Sequence, residues 1–558
     1  MAVPEILVNP SGERLVLRFP YNEQVVSVMR TLPEARWVSQ HKQWTCLLTP
    51  SAAHRAVELL NTIGEPAVVP EAAAAADQWR RAVSVLQPEA PDRPIPVIPP
   101  DTPNRWGHQR RCFWFDHDRY STMIAAGMGS GKSCITLDIA NNYGPRRMLV
   151  VCPKSVIPVW PANAELFLNN QIPFVPLVKG NSAKKAALAM QLHESTRGPL
   201  AFVVNYESVH RGELAKAFLK IAPELVVLDE SHRIKLHSGI ASKYCFQLGR
   251  LAKKRLCLTG TPYPHSPLDI YAQYRFLDPG IFGTSFPRFR DRYAITSQVF
   301  PGQVVQWINQ DELARKVGDL MFHVETRDVL DLPDELHQEI PITLSPRAQD
   351  FYNRLNAEMC AELEGGVLIA ANALVKLLRL QQITGGGVAM EVHGEPQIVE
   401  VDTAKRDALS DIVSDIGDGE AIPVFCRFRH DLKQVAAVAE SLGLMYGELS
   451  GERNDMDGNK LPPLEGPWER GYLFGVQIQS GSEGVDFTRA KYGVFYSLGY
   501  SLGQFLQAVA RVVRPGQNHK VMFYHLVADG TVDRMVYTAL QQRRDVVDFV
   551  LNSMKGRP

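Results

Sequence analysis

The chain has 558 residues, too many for one hydrophobic core, so two to four domains are expected at roughly 100–200 residues each. Its apolar content of 45% and charged content of 22% are near the averages for soluble globular proteins, and eight scattered cysteines with no CxxC pair exclude a zinc framework or a disulfide scaffold. Lys plus Arg equals Asp plus Glu at 60 each, so bulk charge names no polyanionic partner, though it leaves room for a locally basic groove.

The start, "MAVPEILVNP", lacks a basic segment followed by an apolar stretch, and no apolar run is long enough for a bilayer. The expected location is intracellular and soluble. Residues 1–66 alternate apolar and polar positions and then turn helical ("SAAHRAVELLNTIG"), which predicts a small α+β domain. Residues 67–103 are assigned to a linker rich in alanine and then in proline; its alanines could form a short helix, and the proline-dense end from Pro88 reads as extended and semi-rigid.

From residue 104 the texture changes. Aliphatic runs "RMLVVC", "AFVVNY", "ELVVLDE" and "RLCLTGT" are spaced by helical stretches, as in a doubly wound parallel sheet, and predict an α/β lobe over 104–280. Residues 281–400 look largely helical ("PRAQDFYNRLNAEMCAEL", "NALVKLLRLQQI") and are assigned to an insertion and connection. A second series, "IPVFCRF", "YLFGVQIQ", "YGVFYSLG" and "KVMFYHLV", predicts another α/β lobe over 401–558. Ligands of such sheets bind beyond the carboxyl ends of the strands, where the polar clusters of this chain fall.

One cluster, "AAGMGSGKS" at 125–133, fits AxxGxGK[ST] through Ala126, Gly129, Gly131, Lys132 and Ser133. Its glycines let amides point at phosphates, with Ser130 between them, and the helix that follows adds its positive end. Lys132 is expected at the β/γ-phosphates of ATP and Ser133 on Mg²⁺. A second cluster, "ELVVLDESH", ends a strand in Asp229 and Glu230, a pair suited to holding Mg²⁺ and activating water. "DMDGNK" is not a calcium loop: counting from Asp455, the sixth and twelfth positions are Lys460 and Gly466, where glycine and glutamate are needed.

In order, "GHQ" (107–109), "GMGSGKS", "LVVCPKS", "VVLDESHRIK", "LTGTP", "QSGSEGVDFT" and "QAVARVVRPGQ" resemble the motifs of superfamily-two helicases, and within them the Swi/Snf-type translocases, over about residues 104–545. The resemblance implies two RecA-like lobes moving on duplex DNA with ATP and Mg²⁺. It makes Gln109 the adenine reader and gives Gly484 and Asp486 to the nucleotide site. His232, Thr259, Gly260 and Thr261 would couple nucleotide state to lobe movement. Gln507, Arg511 and Arg514, at i, i+4 and i+7, would share a helix face, with both arginines acting as fingers on the γ-phosphate. Lys154, Ser155, Tyr206, Ser208, Arg427, Arg429 and Thr488 are the candidate nucleic-acid backbone contacts. Ala125–Ala126, Gly107–His108 and Asp486 depart from the usual Asp-Glu, Pro-Tyr and Asn of the family.

The skeleton of "FPYNEQVVSVMRTLPEARWVSQHKQWTCLL" resembles the HARP domain of annealing helicases, through Phe19, Tyr21, Trp37, Lys42 and Trp44. That resemblance implies recognition of branched DNA or single-strand/duplex junctions, with Arg36 and Lys42 beside the aromatics. The motifs do not choose between DNA duplex, RNA duplex and hybrid. A strand-separating helicase, a protein-displacing motor and a non-enzymatic DNA-binding scaffold are the alternative readings.

Overall fold

The computed structural model describes residues 3–84, 93–127, 129–264, 266–297, 304–325, 333–364, 370–392, 395–458, 460–481, 485–514 and 516–542. The chain divides into two compact units, Met1–Glu325 and Thr326–Asp545.

The first unit opens with a five-stranded sheet, β1 (Glu5–Val8), β2 (Arg14–Arg18), β3 (Arg36–Val38), β4 (Gln43–Leu47) and β5 (Ala67–Val68), in the order β3-β4-β2-β1-β5. Helix Pro50–Asn61 starts where the sequence dictates: the Thr49 hydroxyl accepts from the Ala52 amide, and Pro50 has no amide to leave unpaired. The core of this domain holds Ile6, Leu15, Leu17, Val25, Ala53 and Leu60, but also Ala72 and Ala76. The expected boundary at residue 66 is therefore too early. β5 pairs with β1, and helix Pro70–Ser84 lays its alanine face on the helix 50–61, so the alanine-rich stretch is domain and not linker.

The second layer of the unit is a seven-stranded parallel sheet: β6 (Ser121–Ala126), β7 (Arg147–Cys152), β8 (Phe174–Pro176), β9 (Leu200–Asn205), β10 (Leu225–Asp229), β11 (Lys254–Thr259) and, after the hairpin β12 (Ala294–Thr296) and β13 (Val304–Trp307), β14 (Met321–Val324). Its order is β14-β6-β11-β10-β7-β9-β8. β6, β7 and β9 are buried along their whole length, which is why they read as unbroken aliphatic runs and not as alternating ones. The lobe ends at β14 and not at residue 280.

The small domain is bolted to this lobe by one buried carboxylate. Asp278 accepts from the Tyr120 hydroxyl at 2.5 Å, the Ser51 amide at 3.2 Å and the Gly280 amide at 2.7 Å. Gly280 faces the first turn of the helix 50–61, where a Cβ would fall on Ser51 Oγ and Thr49 Oγ1 and lie 2.9 Å from the Ala52 amide nitrogen.

The second unit carries six parallel strands, β15 (Glu335–Ile342), β18 (Ala421–Cys426), β19 (Met445–Leu449), β20 (Tyr472–Gln477), β21 (Tyr492–Phe495) and β22 (Val521–Ala528), ordered β15-β22-β21-β18-β20-β19. Between β15 and β18 come helices Pro346–Glu364 and Ala370–Thr384, as expected, and the hairpin β16 (Gly387–Val392) and β17 (Glu395–Glu400). The stretch 281–400 thus supplies strands to both sheets or to hairpins as well as helices. Both lobes are parallel sheets flanked by helices, the α/β class that the sequence implies. Among the described residues no helix is long and apolar enough to cross a membrane.

Candidate functional site

β6 runs straight into the phosphate loop. Gly129 and Gly131 have φ of 76° and 81°, the left-handed region that glycine occupies without a Cβ penalty. Gly131 caps the helix Lys132–Tyr143, and a Cβ there would strike the Gln109 side-chain amide. Ser130 folds back through its hydroxyl to the Gly127 carbonyl at 2.7 Å. Lys132 donates to the carbonyls of Ala126 at 2.8 Å and Gly127 at 3.1 Å, so its ammonium lies in the loop. Ser133 is in the first turn of the helix.

Gln109 is held tightly beside the loop. Its carbonyl accepts from the Trp106 amide at 2.9 Å and its amide donates to the Ser130 carbonyl at 3.2 Å; His108 Nε2 reaches the same carbonyl at 2.8 Å. The family-atypical His108 therefore has a job, which is to brace the loop. The segment is anchored by a buried bidentate pair, Arg105 to Asp138 at 2.7 and 2.8 Å, which joins the entry of the helix Gly107–His117 to the loop's own helix.

Two strands away, β10 ends in Asp229. Its carboxyl is buried, accepts from Trp160 Nε1 at 3.2 Å and from the Glu230 amide at 3.0 Å, and is pushed up to about 7 by burial and the neighbouring Glu230 charge, against the pull of Lys132. Glu230 has φ 51° and ψ 54°, a left-handed conformation that costs roughly 1–2 kcal/mol for a residue with a Cβ. That turn points its carboxylate to His232 Nδ1 at 3.3 Å, and the same nitrogen lies 3.3 Å from Thr259 Oγ1. Thr259 Oγ1 in turn accepts from the Thr261 amide at 3.0 Å across Gly260. Glu230, His232, Thr259 and Thr261 are thus one chain of contacts along the ends of β10 and β11.

The residues fit a magnesium nucleotide. The loop offers glycine-directed amides at a helix start, and Lys132 acts electrostatically on Asp229. Asp229 is a carboxylate whose buried charge a cation would relieve.

The nucleic-acid candidates separate into groups. Lys154 and Ser155 are exposed on the turn after β7. Ser208 accepts from Lys185 Nζ at 3.4 Å, and burial together with the Lys154 charge lowers the Lys185 ammonium from its usual range. Lys185 was not picked out from the sequence; two lysines thrown together around a serine are visible only in the fold. Tyr206 is corrected: it is buried, and its hydroxyl donates to the Asp229 carbonyl at 2.8 Å, so it is a strut of the acidic turn and not a backbone contact. Gln273, which accepts from Ser231 at 2.7 Å, is another support from distant sequence.

In the second unit, Arg427 is tied to Gln381 and half-buried, while Arg429 is exposed and paired with Glu452 at 2.8 Å. Thr488 donates through its hydroxyl and amide to Asp486 at 2.8 and 2.9 Å, so the atypical aspartate fixes that threonine. Gly484 lies outside the described residues. Helix Leu502–Val512 contains Gln507 and Arg511, both buried, but it ends before Arg514. Pro515 follows, and the residue before a proline is pushed out of helical geometry. The shared helix face therefore does not reach Arg514, yet Arg511 and Arg514 still converge, both donating to the Val485 carbonyl at 3.5 and 3.2 Å.

In the small domain Trp37 is 51% exposed, whereas Trp44 packs against the core with its ring centroid 5.7 Å from that of Trp37. Phe19 also packs against the core, Tyr21 is exposed, and Lys42 is exposed in a left-handed turn at φ 48°.

The family model described as the SNF2-related domain matches residues 21–385. The chain belongs to the SNF2-related family. Among curated relatives, this SNF2-related chain is 27% identical to "Putative protein p41" of Acyrthosiphon pisum secondary endosymbiont phage 1, over 78% of this chain and 95% of that one. It is 24% identical to "DNA annealing helicase and endonuclease ZRANB3" of Bos taurus, over 78% of this chain but only 39% of that protein's length. A third, the "SWI/SNF-related matrix-associated actin-dependent regulator of chromatin subfamily A-like protein 1 homolog" of Caenorhabditis elegans, is 23% identical over 97% of this chain and 75% of its own. Among solved structures, "Sulfolobus solfataricus SWI2/SNF2 ATPase core in complex with dsDNA" covers 81% of this chain and 94% of that chain at 20% identity and a TM-score of 0.38.

Proposed function

We propose that this SNF2-related chain hydrolyses ATP to translocate along duplex DNA and that its output is the remodelling or annealing of branched, fork-like DNA. Family membership carries the general part, an ATP-dependent DNA translocase or remodelling core. The fork-directed part rests on the HARP-like small domain and on the printed activity of the annealing-helicase relative. The observation that carries the chemistry is that Lys132, just beyond β6, and the Asp229–Glu230 pair, at the end of β10, share the carboxyl edge of one sheet with only β11 between them, Lys132 acting electrostatically on Asp229.

In this reading Lys132 and the loop amides hold the β/γ-phosphates, and Ser133 and Asp229 hold Mg²⁺, which would neutralise the phosphate oxygens. Glu230 orients the attacking water and takes its proton, and His232 fixes the Glu230 carboxylate. Arg511 and Arg514 are the arginine fingers, and Gln507 shares the helix of Arg511. Gln109 reads the adenine with the amide that now grips Ser130. Lys154, Ser155, Ser208, Lys185, Arg427, Arg429 and Thr488 bear on the DNA backbone. Trp37, Lys42 and Arg36 face exposed bases at a junction, with Trp44 as the floor beneath Trp37.

The test is ATP turnover with blunt duplex, single strand, fork and RNA, each at about 50 and 200 mM salt. DNA-stimulated turnover, highest with forks, is expected, and Glu230→Gln should lower it about 10²–10⁴-fold without loss of nucleotide binding. Turnover undetectable with every nucleic acid would instead point to a binding scaffold. Unwinding of forked duplex, or displacement of a bound protein without strand exchange, would favour the other two alternatives.

A further inference from the structure

A cleft of about 730 Å³ lies between the small domain and the first lobe, beside the Asp278 seam and away from the candidate nucleotide site. Its lobe wall is made of residues 117–120, Tyr143, Arg250, 252–255 and Pro279, chiefly the segments that lead into β6 and β11. It is therefore at the amino ends of the parallel strands, whereas the phosphate loop, Asp229 and Thr259 are at the carboxyl ends. The facing wall is Gly12–Glu13, Leu47–Pro50, Gln78 and Arg81 of the small domain.

The lining is strongly cationic. Arg81, Arg119, Arg250, Lys253, Lys254 and Arg255 line the cleft with Glu13 and Asp118 as the only acids, though Arg119 and Lys254 are buried and turn their charged groups to backbone carbonyls. Both acids are engaged, Glu13 by Arg250 at 3.1 Å and Asp118 by His117 at 3.2 Å. Lys253 and Lys254 have carboxylates outside the lining, Glu224 at 2.9 Å and Asp116 at 2.8 Å. Among the described residues Arg81 and Arg255 have no carboxylate within ion-pair distance. Arg255 donates to the Gly249 carbonyl at 3.2 Å, and its Nε is buried with no hydrogen-bond partner. Asp278 acts on it electrostatically, but the Asp278 oxygens are already used by Tyr120, Ser51 and Gly280.

Aromatic rings complete the wall: Tyr143, 37% exposed, with the Lys254 ammonium 5.9 Å from its centroid, beside Tyr120 and His117. Arginines without a carboxylate partner beside an open ring are the chemistry of a phosphodiester carrying an unstacked base, although Arg255 also lies 5.6 Å from the Tyr120 ring centroid. The volume admits a nucleotide or two and not a duplex.

We propose that this cleft binds a single-stranded nucleic-acid segment, its phosphates on Arg81 and Arg255 and a base against Tyr143. The inference rests on the reading of the chain as a nucleic-acid motor and adds a strand site remote from the duplex track. A branch strand held here would be gripped jointly by the small domain and the lobe. Neither Trp37 nor the lysines at the β7 and β9 ends take part in it.

The experiment is fluorescence anisotropy of a short labelled dT oligonucleotide on the full chain, without ATP and at low salt. Arg81→Glu and Tyr143→Ala, both at exposed side chains, should each weaken binding about tenfold while leaving blunt-duplex-stimulated ATP turnover unchanged. Oligonucleotide affinity equal to that of the parent in both variants overturns the proposal. Displacement of the probe by AMP as readily as by unlabelled dT oligonucleotide overturns it too, since the cleft would then be a free-nucleotide site. Loss of duplex-stimulated turnover in the parent would refute the motor reading instead, and the anisotropy arms would still report on the cleft.

Discussion

Asp229 is a stability defect maintained at the end of a core strand. Burial and the Glu230 charge make its proton bind more tightly in the fold than in the unfolded chain, where an aspartate titrates near ~3.9. The contribution of such a group is full below the unfolded value and is lost as pH rises toward about 7. Asp229→Asn, which cannot ionise, should therefore raise the Mg²⁺-free melting temperature at pH 8 but not at pH 4, by about 2–4 °C for each kcal/mol relieved, while abolishing ATP turnover. Thermal melts of parent and variant at the two pH values decide it. In the small domain the two tryptophans divide the work: exposed Trp37→Ala should lower fork preference about fivefold in competition binding with little loss of stability, one stacked base being at stake. Lys132, Asp229 and Glu230 were legible because a loop and a strand end compress them into a few positions. Trp160, Lys185, Gln273 and the true place of Tyr206 were not, because each meets the site from tens of residues away.

The same division holds for elements. Central strands announced themselves as aliphatic runs, and the helix 50–61 as the helical stretch "SAAHRAVELLNTIG". β8, β14 and the two hairpins did not, because short strands at or beyond a sheet edge carry no such run, and the eight-residue edge strand β15 did not because it is polar and mostly unburied. The helix 70–84 was half seen; an alanine stretch states a propensity but not the sheet it will lie on. The seam between the small domain and the lobe is decided by backbone proximity at Gly280. Gly280→Ala should cost about 1–3 kcal/mol through overpacking against the Ala52 amide. Hydrogen exchange should then rise across residues 49–61 while β6, β7 and β10 keep their protection. Equal protection throughout would mean that the seam is pliant.

For the whole molecule, zero net charge conceals an uneven surface. The lysines around Ser208 and the cations of the inter-domain cleft are both on the first unit, at opposite ends of one sheet. Duplex affinity should fall steeply between about 50 and 200 mM salt, and Lys185→Ala should reduce the slope of log affinity against log salt by about 1, as expected for one lost phosphate contact. An unchanged slope would leave Lys185 a structural residue.

β14, the last strand of the first unit, is laid parallel to the strand that ends in the phosphate loop, from Met321 opposite Met123 to Val324 opposite Ala126, and the Gly127 amide donates to Val324 at 3.3 Å. Tension applied along β14 therefore enters the lobe as shear on a ladder whose other rail is the loop's own strand. A ladder loaded lengthwise shares the strain among all its rungs, where peeling would snap them singly. A pull on the end of β14 would reach Gly127 before the ladder gave way, which makes the glycine-rich loop the mooring point of that strand.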